Sequence, residues 1–372
     1  MAIVPLVFFA SSAEAYGAQA RSVLEVDRSP PCVIDMSPGP RIPGAVESDW
    51  VDEVADVQIL EDGRIAAVGF SVADGFLLMA PDDGAEWVGR SGDGPGEYRY
   101  IRWVRSRGDR LHVFDALSRR RTVLDANLDV VLTNPLSVNL AGDAAIFGDS
   151  AYVVNGPVPT PENIGHALHL FDASGAVVRS FDELPGGYGT PDSGIAIYRR
   201  LAVARDGGLW SAYRGEYRID LWDPQTGTKR RTLVRPAEWF PAHAEPGSND
   251  PERPALPTIL DISEDAQGRL WVLLSIASDR WAEGFEATPE GAHPELDEYL
   301  HVDFDISYDT MVEVIDPARG RLLATTTVPQ NLHVFRGGRA VSSSEGEFGL
   351  PTVQLWQLGL TSADTQGDNE CM

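Results

Sequence analysis

The stretch GRSGDGPGEYRYIRWVRSRGDRLHVFD, residues 89–115, decides the fold. A glycine-rich elbow leads into a run that alternates apolar with charged residues, then into a polar turn and a second alternating run that ends in Asp115. Two such runs, joined by a short turn that contains Gly and Asp, predict a β-hairpin. The GDGPGE elbow before them is either a binding loop or a hinge between two pieces of sheet.

The same hairpin pattern recurs along the whole chain. Six segments combine a polar turn with a strand-like run: EDGRIAAV (61–68), RGDRLHVF (107–114), FGDSAYVV (147–154), RDGGLWSA (205–212), AQGRLWVL (266–273) and RGGRAVSS (336–343). Each is followed by a second apolar run, and five of the six units then enter one more short strand. Four antiparallel strands repeated six times predict an all-β fold, a six-bladed β-propeller.

The sixth unit lacks its fourth strand, because VQLWQLGL (353–360) is followed only by a polar tail. An unpaired strand there would expose a sheet edge. We therefore expect an N-terminal run, either SVLEV (22–26) or CVIDM (32–36), to complete the last blade and close the ring. Closure would bring Cys32 and Cys371 together, so that they form a disulfide or remain two free thiols.

The first twenty residues, MAIVPLVFFASSAEAYGAQA, have the shape of a signal peptide, with an apolar run followed by small residues. The usual positive segment is missing, as in a signal peptide truncated at its start; the alternative is an apolar N-terminal strand of a cytoplasmic protein. We predict a signal peptide at 1–20, a propeller at 21–362 and a polar tail at 363–372. The mature protein is expected in the periplasm or outside the cell.

The charge of the chain excludes two classes of partner. The formal net charge is −26 at pH 7. A field of this sign repels nucleic-acid phosphates and anionic lipid. Beyond the N-terminus the sequence has no stretch of about 18 apolar residues that could span a bilayer. We expect a monomer that binds a small molecule, a glycan or a protein, without nucleic acid and without membrane insertion.

Residues 89–131 resemble six-bladed propeller proteins, related to NHL-repeat propellers, that are common among secreted bacterial proteins. In that family a G-x-GPGEF-like elbow joins two blades. The residues that match the elbow are Gly92, Gly94, Pro95, Gly96 and Glu97. Tyr98 stands where the family usually has Phe. The resemblance implies the fold. It implies little about activity, because most members of the family have no known activity.

The antiparallel order of strands within a blade places the connections on two faces of the ring. One face carries only tight turns. The other, which we call the long-loop face, carries the elbow and five long loops, at 155–167, 185–198, 235–257, 275–309 and 343–352. Long loops in compact domains are often functional, so the long-loop face is the predicted working face.

The predicted ligand site combines aromatic rings with carboxylates and imidazoles of the long-loop face. Aromatic rings framed by carboxylates suit sugars, peptides or cationic groups. Glu97 either pairs with an arginine of a blade or lines the channel mouth. The residues predicted to contact a ligand are Glu97, Tyr98, Tyr188, Asp192, Trp239, His243, Trp281, Phe285 and His293.

The insert at 275–309 has ten acidic residues and one arginine. If DFDISYD is extended, Asp303, Asp305 and Asp309 lie on one side, where their oxygens would suit Ca²⁺. The segment is not a helix-loop-helix calcium loop, because Tyr308 occupies the sixth position, which that loop reserves for Gly. A solvated acidic lid is the alternative, and Ca²⁺ is the one cofactor considered.

The sequence contains no G-x-S-x-G, HExxH or P-loop motif. We therefore predict an exported binding or scaffold module whose ligand meets the long-loop face. The alternative is a hydrolase, lactonase or lyase that holds a divalent metal at the channel mouth, where the metal polarises a carbonyl and activates water. That alternative requires acids, asparagines or histidines to converge from different blades.

Overall fold

A computed structural model of the protein describes residues 20–23, 30–43, 54–60, 62–69, 74–80, 84–148, 151–184, 197–244, 248, 250–288, 299–301, 303–345, 351–363 and 371. Most of the predicted signal peptide, and residues 364–370 of the predicted tail, lie outside these described residues.

Two strands precede the first blade, β1 (Ala20–Val23) and β2 (Cys32–Pro43). Blade 1 consists of β3 (Val54–Ile59), β4 (Ile65–Gly69), β5 (Gly75–Ala80) and β6 (Gly84–Ser91), with the short β7 (Glu97–Tyr98) beside the end of β6. Blade 2 consists of β8 (Ile101–Arg107), β9 (Arg110–Asp115), β10 (Arg120–Leu124) and β11 (Val130–Pro135). Blade 3 consists of β12 (Ala144–Phe147), β13 (Ala151–Asn155), β14 (His166–Phe171) and β15 (Val177–Glu183).

Blade 4 consists of β16 (Arg199–Val203), β17 (Leu209–Tyr213), β18 (Arg218–Asp223) and β19 (Thr228–Val234). Blade 5 consists of β20 (Thr258–Glu264), β21 (Leu270–Ala277), β24 (Tyr308–Asp316) and β25 (Arg321–Val328). An insert lies between β21 and β24. It contains a 3₁₀ turn (Trp281–Gly284), β22 (Phe285–Ala287), β23 (Tyr299–His301) and the single helical turn α1 (Phe304–Ser307). Blade 6 consists of β26 (Leu332–Arg336), β27 (Arg339–Glu345), β28 (Pro351–Ser362) and β2.

The six antiparallel four-stranded sheets form a ring, which confirms the predicted six-bladed propeller. The N-terminal strand β2 closes that ring by pairing with β28, from Cys32 opposite Ser362 to Pro43 opposite Thr352. Of the two candidate runs, CVIDM therefore completes the last blade. The start of SVLEV belongs to β1, which instead pairs in parallel with β19 of blade 4.

Cys32 and Cys371 form a disulfide, with their Cα atoms 5.7 Å apart. Both cysteines are buried in the core between blades 5 and 6. The disulfide thus joins the strand that closes the ring to the C-terminal segment, which resolves the two alternatives that the sequence left open.

The core is divided into six clusters, one between each pair of neighbouring blades. A blade is therefore covered on both of its faces, and its inner strands are buried on both sides. This explains why β4 is buried at every position rather than at every second one. The innermost strands of neighbouring blades contact one another around the whole ring, and β26 meets β3 where the ring closes.

The innermost strands all run from the long-loop face towards the face of tight turns, as the antiparallel order requires. The described turn residues 204–208 and 265–269 lie on the tight-turn face, and the described parts of 155–167, 235–257 and 275–309 lie on the long-loop face. Within the part of the chain that the structure describes, no helix has the length and apolar character needed to cross a membrane.

Candidate functional site

The GDGPGE elbow is a closely bonded connection between blades 1 and 2. The Gly94 N–H donates to Oε2 of Glu97 at 2.7 Å, and Nε of Arg90 donates to Oε1 at 3.0 Å. The Gly94 N–H and then the charge of Arg90 lower the pKa of Glu97. Gly92 has a φ of 148°, which residues with a Cβ rarely adopt, and a Cβ there would lie 2.2 Å from Oε2 of Glu97, so this position favours glycine. Both carboxylate oxygens of Glu97 accept hydrogen bonds from within the elbow. This arrangement fits a hinge between two blades better than a ligand site.

Tyr98 lies in the core between blades 1 and 2 and is 1% exposed. Burial raises the pKa of its phenol to about 12. The ring fills the space beside Gly89, where an added Cβ would lie 2.8 Å from it. As placed, Tyr98 is closed off from solvent, and we do not include it in the proposed site.

Trp239 and His243 belong to the long loop that leads from blade 4 to blade 5. The Trp239 ring is 36% exposed and packs against Phe240, with the guanidinium of Arg235 5.2 Å from the ring centroid. His243 Nε2 donates to the carbonyl oxygen of Pro257 at 2.8 Å, which ties the middle of the loop to its last residue. Trp239 is therefore accessible on the long-loop face, whereas His243 has a structural hydrogen bond.

Trp281 and Phe285 lie in the blade 5 insert and contact each other with their ring centroids 5.0 Å apart. Trp281 is 3% exposed, and its Nε1 donates to the carbonyl oxygen of Asp250 at 3.0 Å. It also packs edge-on against Tyr308, at 5.2 Å between centroids. These residues form an aromatic cluster on the long-loop face. Three of the predicted ligand contacts lie outside the described residues: Tyr188, Asp192 and His293.

The three aspartates predicted to bind calcium do not lie along one extended strand. Asp303 is the N-cap of α1, where its carboxylate accepts the Ile306 N–H at 2.9 Å, and Asp305 lies within the helical turn. Asp309 is in β24, where burial and then the charge of Asp279 raise its pKa. Over the described residues, no group of three His, Cys, Asp or Glu side chains is placed to hold a metal ion. The extended arrangement that the prediction assumed is replaced by the helical turn.

A cavity of about 90 Å³, partly open to solvent, lies at the centre of the ring. Each blade contributes a polar or charged residue to its wall from the innermost strand or the residue just before it. The six residues, in blade order, are Asp56, Arg105, Asp143, Arg200, Asp261 and His333. None of these six is among the predicted site residues.

Arg105 joins three blades through buried ion pairs. Its Nη1 lies 2.7 Å from Oδ2 of Asp56 in blade 1, and its Nη2 lies 2.6 Å from Oδ1 of Asp143 at the start of blade 3. Although burial acts in the opposite direction, the carboxylates of Asp143 and Asp56 raise the pKa of Arg105 above its usual range. Asp143 also accepts the Leu201 N–H of blade 4 at 2.9 Å. This network holds the inner strands of four blades in register.

Three other arginines, which we call the arginine cluster, lie on the long-loop side of the inner strands: Arg102, Arg200 and Arg214. Arg102 is the extra residue of a β-bulge, since Ile101 and Trp103 pair with consecutive residues of β9. Bulges re-aim a side chain relative to the regular alternation of a strand. Arg200 is the second residue of β16 and lines the central cavity.

Arg214 follows β17 and lies where blades 4 and 5 meet at the long-loop face. Its N–H donates to the Tyr198 carbonyl oxygen at 3.3 Å, and its own carbonyl accepts the Ile259 N–H at 2.9 Å. Burial and then the charges of Arg200 and Arg102 lower the pKa of Arg214 to about 10, which leaves it charged at neutral pH. The three arginines therefore share one region, at the mouth of the channel.

Within the described residues, no carboxylate forms an ion pair with the arginine cluster, although the charge of Arg200 acts to lower the pKa values of Asp56 and Asp261 in the same cavity. Arg200 Nη1 makes one long hydrogen bond, 3.4 Å, to the carbonyl oxygen of Gly142. Arg102 and Arg214 make no side-chain hydrogen bond to the described residues, and the Nε atoms of Arg200 and Arg214 are buried without a partner. Although the chain has 56 acidic residues, none of those that the structure describes forms an ion pair with these three arginines.

Two titratable residues deeper in the cavity have shifted pKa values. Burial lowers the pKa of His333 to about 4, so its imidazole is neutral at pH 7, and its Nε2 lies 2.7 Å from the Ser343 hydroxyl. Burial raises the pKa of Asp261 to about 6, although its Oδ2 accepts the Phe335 N–H at 2.8 Å. Perturbed pKa values in a cleft are common at functional sites.

Asp261→Asn is expected to stabilise the folded protein at neutral pH, by about 1 to 3 kcal/mol. The folded protein binds the Asp261 proton up to about pH 6, whereas an unfolded aspartate releases it near pH 4. The charged carboxylate of wild-type Asp261 therefore lowers the free energy of unfolding progressively as the pH rises from about 4 to 6, and by its full amount above about pH 6. Urea unfolding of both proteins at about pH 4, 6 and 8 measures this difference.

The exposed Asp129→Asn serves as the matched control and should change stability little at any of these pH values. An Asp261→Asn protein that is less stable than wild type at about pH 8, or a difference that does not vary with pH, would contradict the expectation.

The cavity residues had a signal in the sequence. Each is a charged or polar residue in or beside a short apolar run, as in VADVQIL, IRWVRS and ILDIS. The pattern does not reveal which of these side chains point into the channel, because the neighbouring blades cover both faces of an inner strand. The bulges at Arg102 and His333 shift the alternation further.

Comparisons with known proteins establish the fold and no more. No protein-family model matches the sequence, and no curated protein matches it. A member of the DUF4221 family from Bacteroides vulgatus aligns with a TM-score of 0.57 at 12% identity, over 89% of this chain and 99% of that one. A Bacteroides fragilis protein described as exported aligns with a TM-score of 0.56 at 8% identity, over 93% of this chain and 100% of that one.

Virginiamycin B lyase from Staphylococcus aureus, an enzyme, aligns with a TM-score of 0.48 at 10% identity, over 87% of this chain and 99% of that one. This similarity is too low to support an argument about the present chain. The two Bacteroides structures share the six-bladed arrangement, whereas the relationship to NHL-repeat propellers is not confirmed.

Proposed function

We propose that the protein is a binding module that holds an anionic ligand at the mouth of its central channel, on the long-loop face. The observation that carries the proposal is the arginine cluster: Arg102, Arg200 and Arg214 have no carboxylate partner among the described residues. Arginine binds carboxylate or phosphate groups through paired N–H donors. An anion at this position would supply a partner that the described residues do not.

The electrostatics of the whole molecule limit the kind of anion. A net charge of −26 repels anions at long range, and salt screens this field within about 10 Å. A small anion that reaches the mouth meets, at close range, three positive charges that form no ion pair with the described residues, and screening is weak there. A nucleic acid is a poor ligand, because its phosphates would have to lie against the acidic surface, which repels them. The cluster also disfavours the cationic ligands that the sequence suggested, because like charges repel.

We propose that the chain is exported and that residues 1–20 are removed, which leaves the propeller at 21–362 and its polar tail. The buried Cys32–Cys371 disulfide supports this proposal, because such bonds persist in oxidising compartments and are rare in the cytosol. The metal-dependent hydrolase, lactonase or lyase is not proposed, since the described residues offer no set of metal ligands.

Arg214→Gln is expected to weaken the binding of succinate, measured by calorimetric titration, by about 10- to 100-fold. The substitution removes charge-assisted hydrogen bonds and keeps a side chain of similar length. Because Arg214 has no side-chain partner among the described residues, the unliganded variant should unfold at the same temperature as wild type or higher.

Arg64→Gln is the matched control, since Arg64 lies on the tight-turn face and pairs with Asp62 at 2.7 Å. This variant should bind succinate like wild type. Inorganic phosphate should also bind wild type, and choline should not. The proposal fails if neither succinate nor phosphate binds at about 10 mM, or if Arg214→Gln and Arg64→Gln bind equally well.

A further inference from the structure

The wall of the central cavity includes a carboxylate, Asp261 of β20, that forms no ion pair with the described residues. Its Oδ2 accepts the Phe335 N–H at 2.8 Å, whereas its Oδ1 makes no hydrogen bond to any residue that the structure describes. Leu260 is the extra residue of a β-bulge, since Ile259 and Asp261 pair with consecutive residues of β21. Bulges re-aim a side chain relative to the regular alternation of a strand. One oxygen of Asp261 is therefore left for a ligand.

Arg200 lines the same cavity from the neighbouring blade 4. Its Nη1 makes only the long hydrogen bond to the Gly142 carbonyl oxygen, and it forms no ion pair with Asp261 or with another described residue. Burial raises the pKa of Asp261, and the charge of Arg200 acts against this shift, so the two side chains interact without bonding. The cavity wall thus presents one positive and one negative group, and a ligand that carries both signs would pair with each.

The other charged groups of the cavity leave a place for a cation beside Asp261. Arg105 is already bonded to Asp143 and to a second carboxylate. Burial and then the like charge of Asp143 raise the pKa of Asp261. The charges of Arg336 and Arg200 act in the opposite direction, and the pKa nevertheless stays raised at about 6. The negative charge of ionised Asp261 is therefore poorly compensated, and an ammonium group next to it would compensate it.

The size of the cavity limits how much of a ligand it holds. Its volume of about 90 Å³ equals the share of about three molecules in liquid water. Arg200 belongs both to the cavity wall and to the arginine cluster, whose other members, Arg102 and Arg214, lie at the mouth of the channel. A small ligand therefore fits with one end in the cavity and the other end at the mouth.

We propose that the ligand is an acidic α-amino acid, aspartate or glutamate. Its α-carboxylate would bind Arg200, its α-ammonium would bind Oδ1 of Asp261, and its second carboxylate would remain with the arginines at the mouth. With two carboxylates and one ammonium group, such a ligand is still an anion. This inference rests on the proposed function and names the class of ligand for that same site.

Calorimetric titration of the intact protein with aspartate, succinate and malate tests the inference. The three ligands share one carbon chain and two carboxylates, and they differ only in an ammonium group, a hydrogen atom or a hydroxyl group. At about pH 8 Asp261 is ionised, because its pKa is about 6. Aspartate is expected to bind at least about 10-fold more tightly than succinate or malate, since only its ammonium carries a charge opposite to that of Asp261.

Asp261→Asn should reduce the preference for aspartate over succinate to about 3-fold or less. The variant should bind succinate at least as tightly as wild type, because it lacks a negative charge that repels succinate. Since this substitution is expected to stabilise the fold, a lost preference would not reflect unfolding. The exposed Asp129→Asn is the matched control and should keep the preference of wild type.

Two results would show that the amino-acid inference is wrong while the anion-binding function stands. In the first, succinate or malate binds wild type as tightly as aspartate does. In the second, Asp261→Asn prefers aspartate as strongly as Asp129→Asn does. If none of the three ligands binds at about 10 mM, and inorganic phosphate does not bind either, the proposed function itself fails.

Discussion

Replacing Arg105 with methionine is expected to destabilise the folded propeller by about 3 to 5 kcal/mol. The guanidinium lies between the buried carboxylates of Asp56 and Asp143, and the side chains of all three residues are at most 11% exposed. Methionine has a similar length and no charge, so both carboxylates would remain buried without their partner. Urea unfolding at neutral pH measures the loss as a lower midpoint.

An exposed ion pair provides the control for Arg105. Arg280 lies 2.8 Å from Glu283, with both side chains more than half exposed, so Arg280→Met should change stability by less than about 0.5 kcal/mol. Combining Arg105→Met with Asp56→Asn and Asp143→Asn should recover much of the lost stability, since no charge is then left unpaired. A single variant as mild as the control, or a combined variant as unstable as the single one, would show that the network does not hold the blades together.

Removing the disulfide with Cys32→Ser and Cys371→Ser is expected to lower the free energy of unfolding by about 4 to 5 kcal/mol. The bond joins residues separated by 339 positions, so it closes almost the whole chain into one loop. In the chain-entropy model a longer loop restricts the unfolded state more, and the stabilisation rises accordingly. The folded ring should survive, because β2 keeps its ladder with β28.

Comparing the oxidised protein, the dithiothreitol-treated protein and the double serine variant separates the bond from the substitutions. The reduced wild type and the double variant should unfold at similar urea concentrations, both below the oxidised protein. Equal midpoints for all three would contradict the expected stabilisation of the folded protein by this bond. A stable reduced protein would also weaken the argument for export, which uses the disulfide as its support.

The sequence predicts the architecture well because its signals are local. Turns of the EDG, RGD and AQG type need residues that tolerate positive φ, and Gly63, Gly108 and Gly268 adopt it. The missing fourth strand of the last unit likewise follows from counting the strands in each unit. Choosing between the two N-terminal runs required the structure, since both are apolar enough to pair with β28.

The candidate site could not be predicted in the same way. Arg102 precedes Arg200 and Arg214 by about a hundred residues, and it meets them only because the ring brings blades 2 and 4 around one channel. Tyr98 looks like a surface aromatic beside a loop, yet the neighbouring blade covers it. In DFDISYD the alternation of acids suggests a strand, but Asp303 caps a helical turn, because its carboxylate satisfies a free backbone N–H there.

The way the ring is closed sets the order in which the protein can complete its fold. β2 is among the first strands to be synthesised and β28 is the last, so blade 6 stays incomplete until nearly the whole chain has been made. Pairings between such distant segments form slowly, because a large loop must close before they contribute. This delay suits the export proposed above, because the ring cannot close before the last strand has been made and the polypeptide stays unfolded enough to pass through a membrane until then.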